Sequence, residues 1–223
     1  MDRLGQLLHL GDSALPAGGY AFSNGLEGAY QLGLLNSSTA LEQYLRSAIE
    51  AAVFSEIPFV HSCYNASSAD SPLAMLAFYD AMLTAPSVRR ASLVLGKNWL
   101  RLLADLYPQA GLVELRRLFA AEQWPAHYTV VFGLTLCAAG FAEDEAQQLY
   151  LFQILRDQMS AAVRLGIVGP MEAARRQAAL YPHAARMLAE VAGWSYLQAQ
   201  RCAPQIEIAQ GVHDYLYSRL FQS

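Results

Sequence analysis

Lysine is almost missing from this sequence. Lys97 is the only one in 223 residues, and charged residues of all kinds make up 15%, against a usual quarter or so. The balance is acidic, with 19 Asp and Glu against 15 Lys and Arg for a net charge of −4. The chain therefore lacks the basic footprint that nucleic acid requires. Cysteine is sparse: Cys63, Cys137 and Cys202 stand far apart and form no C-x-x-C pair. Such an odd, scattered set argues for reduced thiols in a reducing compartment. No stretch reaches the twenty or so uniformly apolar residues of a membrane span. The least charged one, 124–142, is interrupted by Pro125 and diluted by Gly133 and Gly140, which fits a buried core helix. The apolar run of the opening MDRLGQLLHLGD is too short for a signal peptide. These absences give the expectation of a cytoplasmic protein with no nucleic-acid or membrane partner.

What is present is apolar and helical. Hydrophobic residues make up 54% of the chain, so either the core is generous or other proteins cover much apolar surface. Leu41, Leu45, Ala48, Ile49 and Ala52 recur at the spacing that lines one helix face, behind Thr39-x-x-Glu42 as a capping box. Pro72, after Asp70 and Ser71, opens a helix as a first-turn proline. Ser87 is expected to cap a longer helix with Ala91, Leu95, Leu102 and Leu106 inward, stopped by Pro108. Further helices follow at 112–119, 126–140 and 143–165, with Glu143, Asp144 and Glu145 complementing the dipole of the last. Pro170 and Pro182 each restart a helix, and the final one, from Pro204, is interrupted by Gly211. Strand alternation and internal repeats are absent. The pattern predicts an all-α fold, a single-domain bundle of about ten helices spanning 1–223.

Reactive motifs are hard to find. Gly18 and Gly19 lack the lysine and strand of a phosphate-binding loop. Glycine at these positions permits positive φ and close backbone approach, and Asn24 with Glu27 could cap the next helix. His9, His61, His127, His183 and His213 show no metal-ligand spacing; His213 alone is a candidate nickel ligand, shared across a symmetry axis. A nucleophile elbow is missing too. Arg164, among small residues before a glycine, could satisfy the last helix carbonyls or anchor an interface, as could Arg101. The closing HDYLYSRLFQS sets Tyr215, Tyr217, Arg219, Leu220 and Phe221 on a terminus that would ordinarily fray. Those apolar groups are expected to dock, preferentially on another chain. A pocket lined by Tyr20, Phe22 and Trp99, for a small molecule or a reaction, is the alternative.

Four stretches together resemble one family, the UreF urease accessory proteins. They are LLHLGDSALPAGGYAFSNGLE, similar to that family's D-S-x-L-P-x-G-G-[YF]-x-x-S-x-G-L-E; RRASLVLGKNWLRL; the pair HYTVVFG and AAVRLGIVG; and the tail PQIEIAQGVHDYLYSRLFQS. The chain departs at Pro170, where glutamine is common, and at Asp214, where glutamate is. The resemblance implies an all-α, dimeric, non-enzymatic chaperone of metallocentre assembly. Proteins of this kind bridge UreD (also called UreH) and the GTPase UreG, regulate GTP hydrolysis, and help the complex insert nickel into apo-urease. No cofactor is implied as permanently bound; nickel is handled by the complex. The partner-binding residues would be Tyr20, Phe22, Glu27, Arg101, Arg164, His213, Tyr215, Tyr217, Arg219, Leu220 and Phe221, with 204–223 a docking tail and Tyr20 and Phe22 supplying contact area.

Overall fold

A computed structural model describes residues 2–65 and 71–222; Asp70, expected just ahead of the Pro72 helix, and Ser223 of the tail lie outside the described residues. The described residues form eleven α-helices and no strand: α1 Arg3–Leu10, α2 Leu26–Gln31, α3 Ser38–Ser55, α4 Ile57–Asn65, α5 Pro72–Met82, α6 Pro86–Leu106, α7 Leu112–Ala121, α8 Tyr128–Ala138, α9 Glu143–Arg164, α10 Pro170–Glu190 and α11 Pro204–Gly211. The all-α expectation holds. No described helix is long and apolar enough to cross a membrane.

Helix α8 is the axis of the bundle. It is apolar on every side, and such a helix is stable only when surrounded. Helices α4, α5, α6 and α9 pack around it, and Val130, Val131, Phe132 and Leu136 are fully buried. The Trp99 ring of α6 stacks on Phe132 at 5.1 Å, and its indole N–H donates to the Thr135 hydroxyl at 2.9 Å, so the polar end of a buried tryptophan is satisfied. His127, just ahead of α8, lies between Asp80 at 2.8 Å and Ser92 at 3.2 Å. Burial pushes its imidazole below the usual value, although the Asp80 carboxylate pulls the other way.

Two glycines set how closely helices approach. A Cβ on Gly96 of α6 would overlap the carbonyl of Ala126, and one on Gly28 of α2 would overlap the carbonyl of Ala209 in α11. Glycine inside a helix costs about 1 kcal/mol relative to alanine; here it permits backbone-to-backbone contact that no other residue allows.

Several local expectations need correction. The cap of α3 is Ser37, whose hydroxyl accepts the Ala40 N–H, not Thr39; Glu42 instead pairs with Arg46 one turn on at 2.8 Å. Helix α6 begins at Pro86, and Ser87 lies buried in its first turn, donating to the Gln210 carbonyl at 3.1 Å. Its inward face is also rotated, with Trp99, Leu100 and Leu103 buried and Leu106 exposed. Pro182 does not restart a helix: α10 runs unbroken through it. Packing against both α3 and α9 holds the helix where an isolated one would bend or break.

Candidate functional site

The N-terminal loop, α2, α11 and the tail meet at one corner, beside the C-terminal end of α9. The loop is shaped by residues that tolerate the left-handed region: Gly18 at φ +95°, Asn24 at +51° and Gly25 at +93°. Asp12 accepts the Ala14 N–H at 2.8 Å, and Ser23 accepts that of Glu27 at 3.3 Å. Gly25, not Asn24, occupies the N-cap of α2. The Glu27 side chain turns away from that cap. It is 1% exposed and receives the backbone N–H groups of Leu220 and Phe221 at 2.6 and 3.2 Å.

The tail therefore returns to the loop. After α11 the chain makes a short turn through Val212–Tyr215, and the Gln222 N–H reaches the Ala21 carbonyl at 2.8 Å. Arg164 fastens the two segments. Its guanidinium donates to the Tyr20 carbonyl at 2.5 Å and lies 3.9 Å from the Tyr20 ring and 4.1 Å from that of Phe221. Cation–π contacts of this kind contribute about 0.5–1 kcal/mol each at exposed sites. Arg90 of α6 holds Asp214 at 2.5 Å, and Arg219 stands 4.0 Å from the same carboxylate.

The expected site residues divide into two groups. Tyr20, Arg101, Tyr215, Tyr217, Arg219 and Leu220 lie at the surface, whereas Phe22, Glu27, His213 and Phe221 are buried. Phe22 therefore supplies core rather than contact area, and Phe221 docks on its own bundle rather than on another chain. Burying a phenylalanine gains about 1.5–3 kcal/mol, enough to hold a terminus down. Arg164 serves the Tyr20 carbonyl instead of the last carbonyls of its own helix. His213 faces one carboxylate, Glu27, at 3.6 Å. Among the described residues, no three His, Cys, Asp or Glu side chains gather as a metal site.

The sequence reading missed the buried role of Glu27. Its only local signal was a carboxylate opening an otherwise apolar helix, and its partners lie at the far end of the chain.

Behind the loop lies a cavity of about 430 Å³. Tyr20 borders it, but Phe22 and Trp99 do not, so the expected aromatic pocket has a different lining. Among its lining residues is the half-buried Glu56, at the α3–α4 junction. The Tyr79 and Tyr150 hydroxyls donate to its two oxygens at 3.3 and 2.9 Å. Burial raises this carboxyl above the usual range, opposed by those hydrogen bonds and by the Arg201 charge.

Fold and site together define a class: an all-α protein whose candidate site is a surface corner built from both ends of its chain. Comparison narrows the class. A family model described as UreF matches residues 35–181. The chain is 32% identical to urease accessory protein F of Oryza sativa subsp. indica over 94% of its length and 81% of that protein. It is 31% identical to urease accessory protein F of Arabidopsis thaliana over 95% and 89%, and 25% identical to a Nostoc urease accessory protein UreF over 97% and 94%. The chain belongs to the UreF family.

Proposed function

We propose that this chain is a urease accessory protein that acts in urease maturation by binding other proteins and catalyses no reaction itself. The observation that carries this reading, given the family, is the exposed set Tyr215, Tyr217 and Leu220 on a tail whose backbone Glu27 holds. Tyrosine gives large contact area with few rotatable bonds and is enriched in protein interfaces. A tail fastened by Glu27 and Arg164 presents these side chains at low ordering cost.

In the finer reading the chain works in the cytoplasm as a homodimer that bridges UreD/UreH and UreG. It regulates GTP-dependent insertion of nickel into apo-urease, with nickel as the cargo of the complex. The tail receives UreD/UreH, and the far side of the dimer receives UreG. Of the two arginines suited to reach a GTPase site, Arg101 is exposed, whereas Arg164 is engaged with Tyr20 and Phe221. Arg101 is the better candidate.

The test is co-expression with a urease operon that lacks its own UreF, reading urease activity and nickel content. Restored activity with nickel-loaded urease supports the role. An apoenzyme that stays metal-free in the presence of soluble chain overturns it.

A further inference from the structure

The cavity behind the N-terminal loop is too large for a packing flaw. At about 430 Å³ it lies within the range of small-ligand sites. It is bounded by the 12–20 loop, the α3–α4 junction and helices α5, α6, α8, α9 and α11. Its charged lining is uneven: four carboxylates, Asp12, Glu56, Asp157 and Glu207, against two guanidinium groups, Arg156 and Arg201.

The hydrogen-bond inventory is uneven in the same direction. Arg156 gives its donors to Asp157 at 2.8 Å and to the Gly11 carbonyl at 2.7 Å. Arg201 is paired with Glu207 at 2.8 Å. The Gln153 amide donates to the Leu10 carbonyl, and the Tyr128 hydroxyl donates to Gln153. Both phenols at the floor are committed to Glu56. Both guanidinium charges are thus paired with a carboxylate, although the Arg201 Nε–H makes no hydrogen bond of good geometry. Acceptor capacity is left over: each Glu56 oxygen takes one of these donors, where a carboxylate accommodates roughly four in all. The side-chain oxygen of Gln158, a residue 2% exposed that lines the same cavity, has no hydrogen-bond partner among the described residues. The rings of Tyr128 and Tyr150, stacked 5.8 Å apart, add π-faces that favour positive charge.

We propose that this cavity binds a small organic cation bearing N–H donors, of the ammonium or amidinium class, with Glu56 as counter-charge and Gln158 as a second acceptor. A cation with N–H groups matches both deficits, of positive charge and of donors. An anion would meet the excess of carboxylates, and both guanidinium charges are already paired with one. This site is separate from the tail surface, and its occupancy is readable on the purified chain without urease or any accessory partner.

The test uses three planar probes of nearly equal size: acetamidinium, acetamide and acetate, carrying charges of +1, 0 and −1. Each is titrated into the full-length chain by isothermal calorimetry, up to ~10 mM because so small a fragment binds weakly even in a good site. The expected result is saturable one-to-one binding of acetamidinium, with acetamide and acetate weaker by about tenfold or more. Glu56→Gln and Gln158→Leu should each weaken acetamidinium by about tenfold with circular dichroism unchanged. If Glu56→Gln fails to fold, Gln158→Leu decides alone. Absence of saturable acetamidinium binding, equal binding of acetate, or native affinity in the folded variants would overturn the proposal.

Discussion

The carboxylate of Glu27 accepts the backbone N–H of Leu220 at 2.6 Å and that of Phe221 at 3.2 Å, joining α2 to chain 193 residues further on. A buried acid thereby takes over the hydrogen bonds that a terminus would otherwise make to water. The two ends of the chain become one surface.

Replacing Glu27 by alanine removes both acceptors and strands two backbone donors. Hydrogen bonds to a charged group contribute about 1.5–3 kcal/mol, so Glu27→Ala should destabilise the protein by about 2 kcal/mol or more in urea unfolding. The Leu220 and Phe221 amides should also lose hydrogen-exchange protection. Unchanged exchange at those two amides would show that the tail is held by other means.

Close helix approach gives a graded series. Gly28→Ala and Gly96→Ala drive a methyl group into the carbonyls of Ala209 and Ala126, and overpacking of this kind costs about 1–3 kcal/mol. Gly169→Ala meets nothing within 4 Å and needs no positive φ, so it should be neutral or stabilising by up to about 1 kcal/mol. The urea midpoints of Gly28→Ala and Gly96→Ala should fall below that of the native chain, and that of Gly169→Ala should not.

Acidification should expose His127. Its folded-state imidazole titrates below the ordinary value near 6.5 because burial disfavours the cation. The unfolded chain therefore binds the extra proton first, and stability associated with this residue is lost as pH falls below about 6.5. Comparing unfolding free energies at pH 7.5 and 5.5, His127→Gln should lose less stability on acidification than the native chain does. Glu56 acts in the opposite sense, since burial raises its carboxyl: the folded state takes up that proton first, and its contribution falls as pH rises above the ordinary carboxylate range.

Thiol reactivity should follow burial. Cys202 is exposed, while Cys63 is buried and its thiol is pushed well up by burial, leaving almost no thiolate at neutral pH. Mass spectrometry after brief iodoacetamide treatment should find label on Cys202 and none on Cys63. Denaturant should make Cys63 reactive.

Much of the fold was legible because α3, α5, α7 and α9 carry their own apolar periodicity, and α5 also its first-turn proline behind Ser71. Pro182 misled because tertiary packing can override a local breaker. Ser87 misled because its hydroxyl serves a carbonyl on α11, 123 residues away. The candidate site was legible as a list of residues and not as an arrangement. Sequence identifies Phe22 and Tyr20 as aromatic neighbours, but only the loop's left-handed turns decide that one faces inward and the other outward. Of the cavity, only the side formed by the Gly18–Gly19 loop and Tyr20 was expected, since the rest of its wall is drawn from segments far apart in the chain.

The most direct test of the central claim is the affinity of UreD/UreH for the triple variant Tyr215→Ala, Tyr217→Ala, Leu220→Ala. These side chains are 88%, 107% and 52% exposed, so their removal should leave circular dichroism and thermal unfolding unchanged. If the tail is the docking surface, affinity measured by calorimetry or surface plasmon resonance should fall by roughly a hundredfold or more, as for loss of interface anchors. Native affinity in the triple variant would contradict the account.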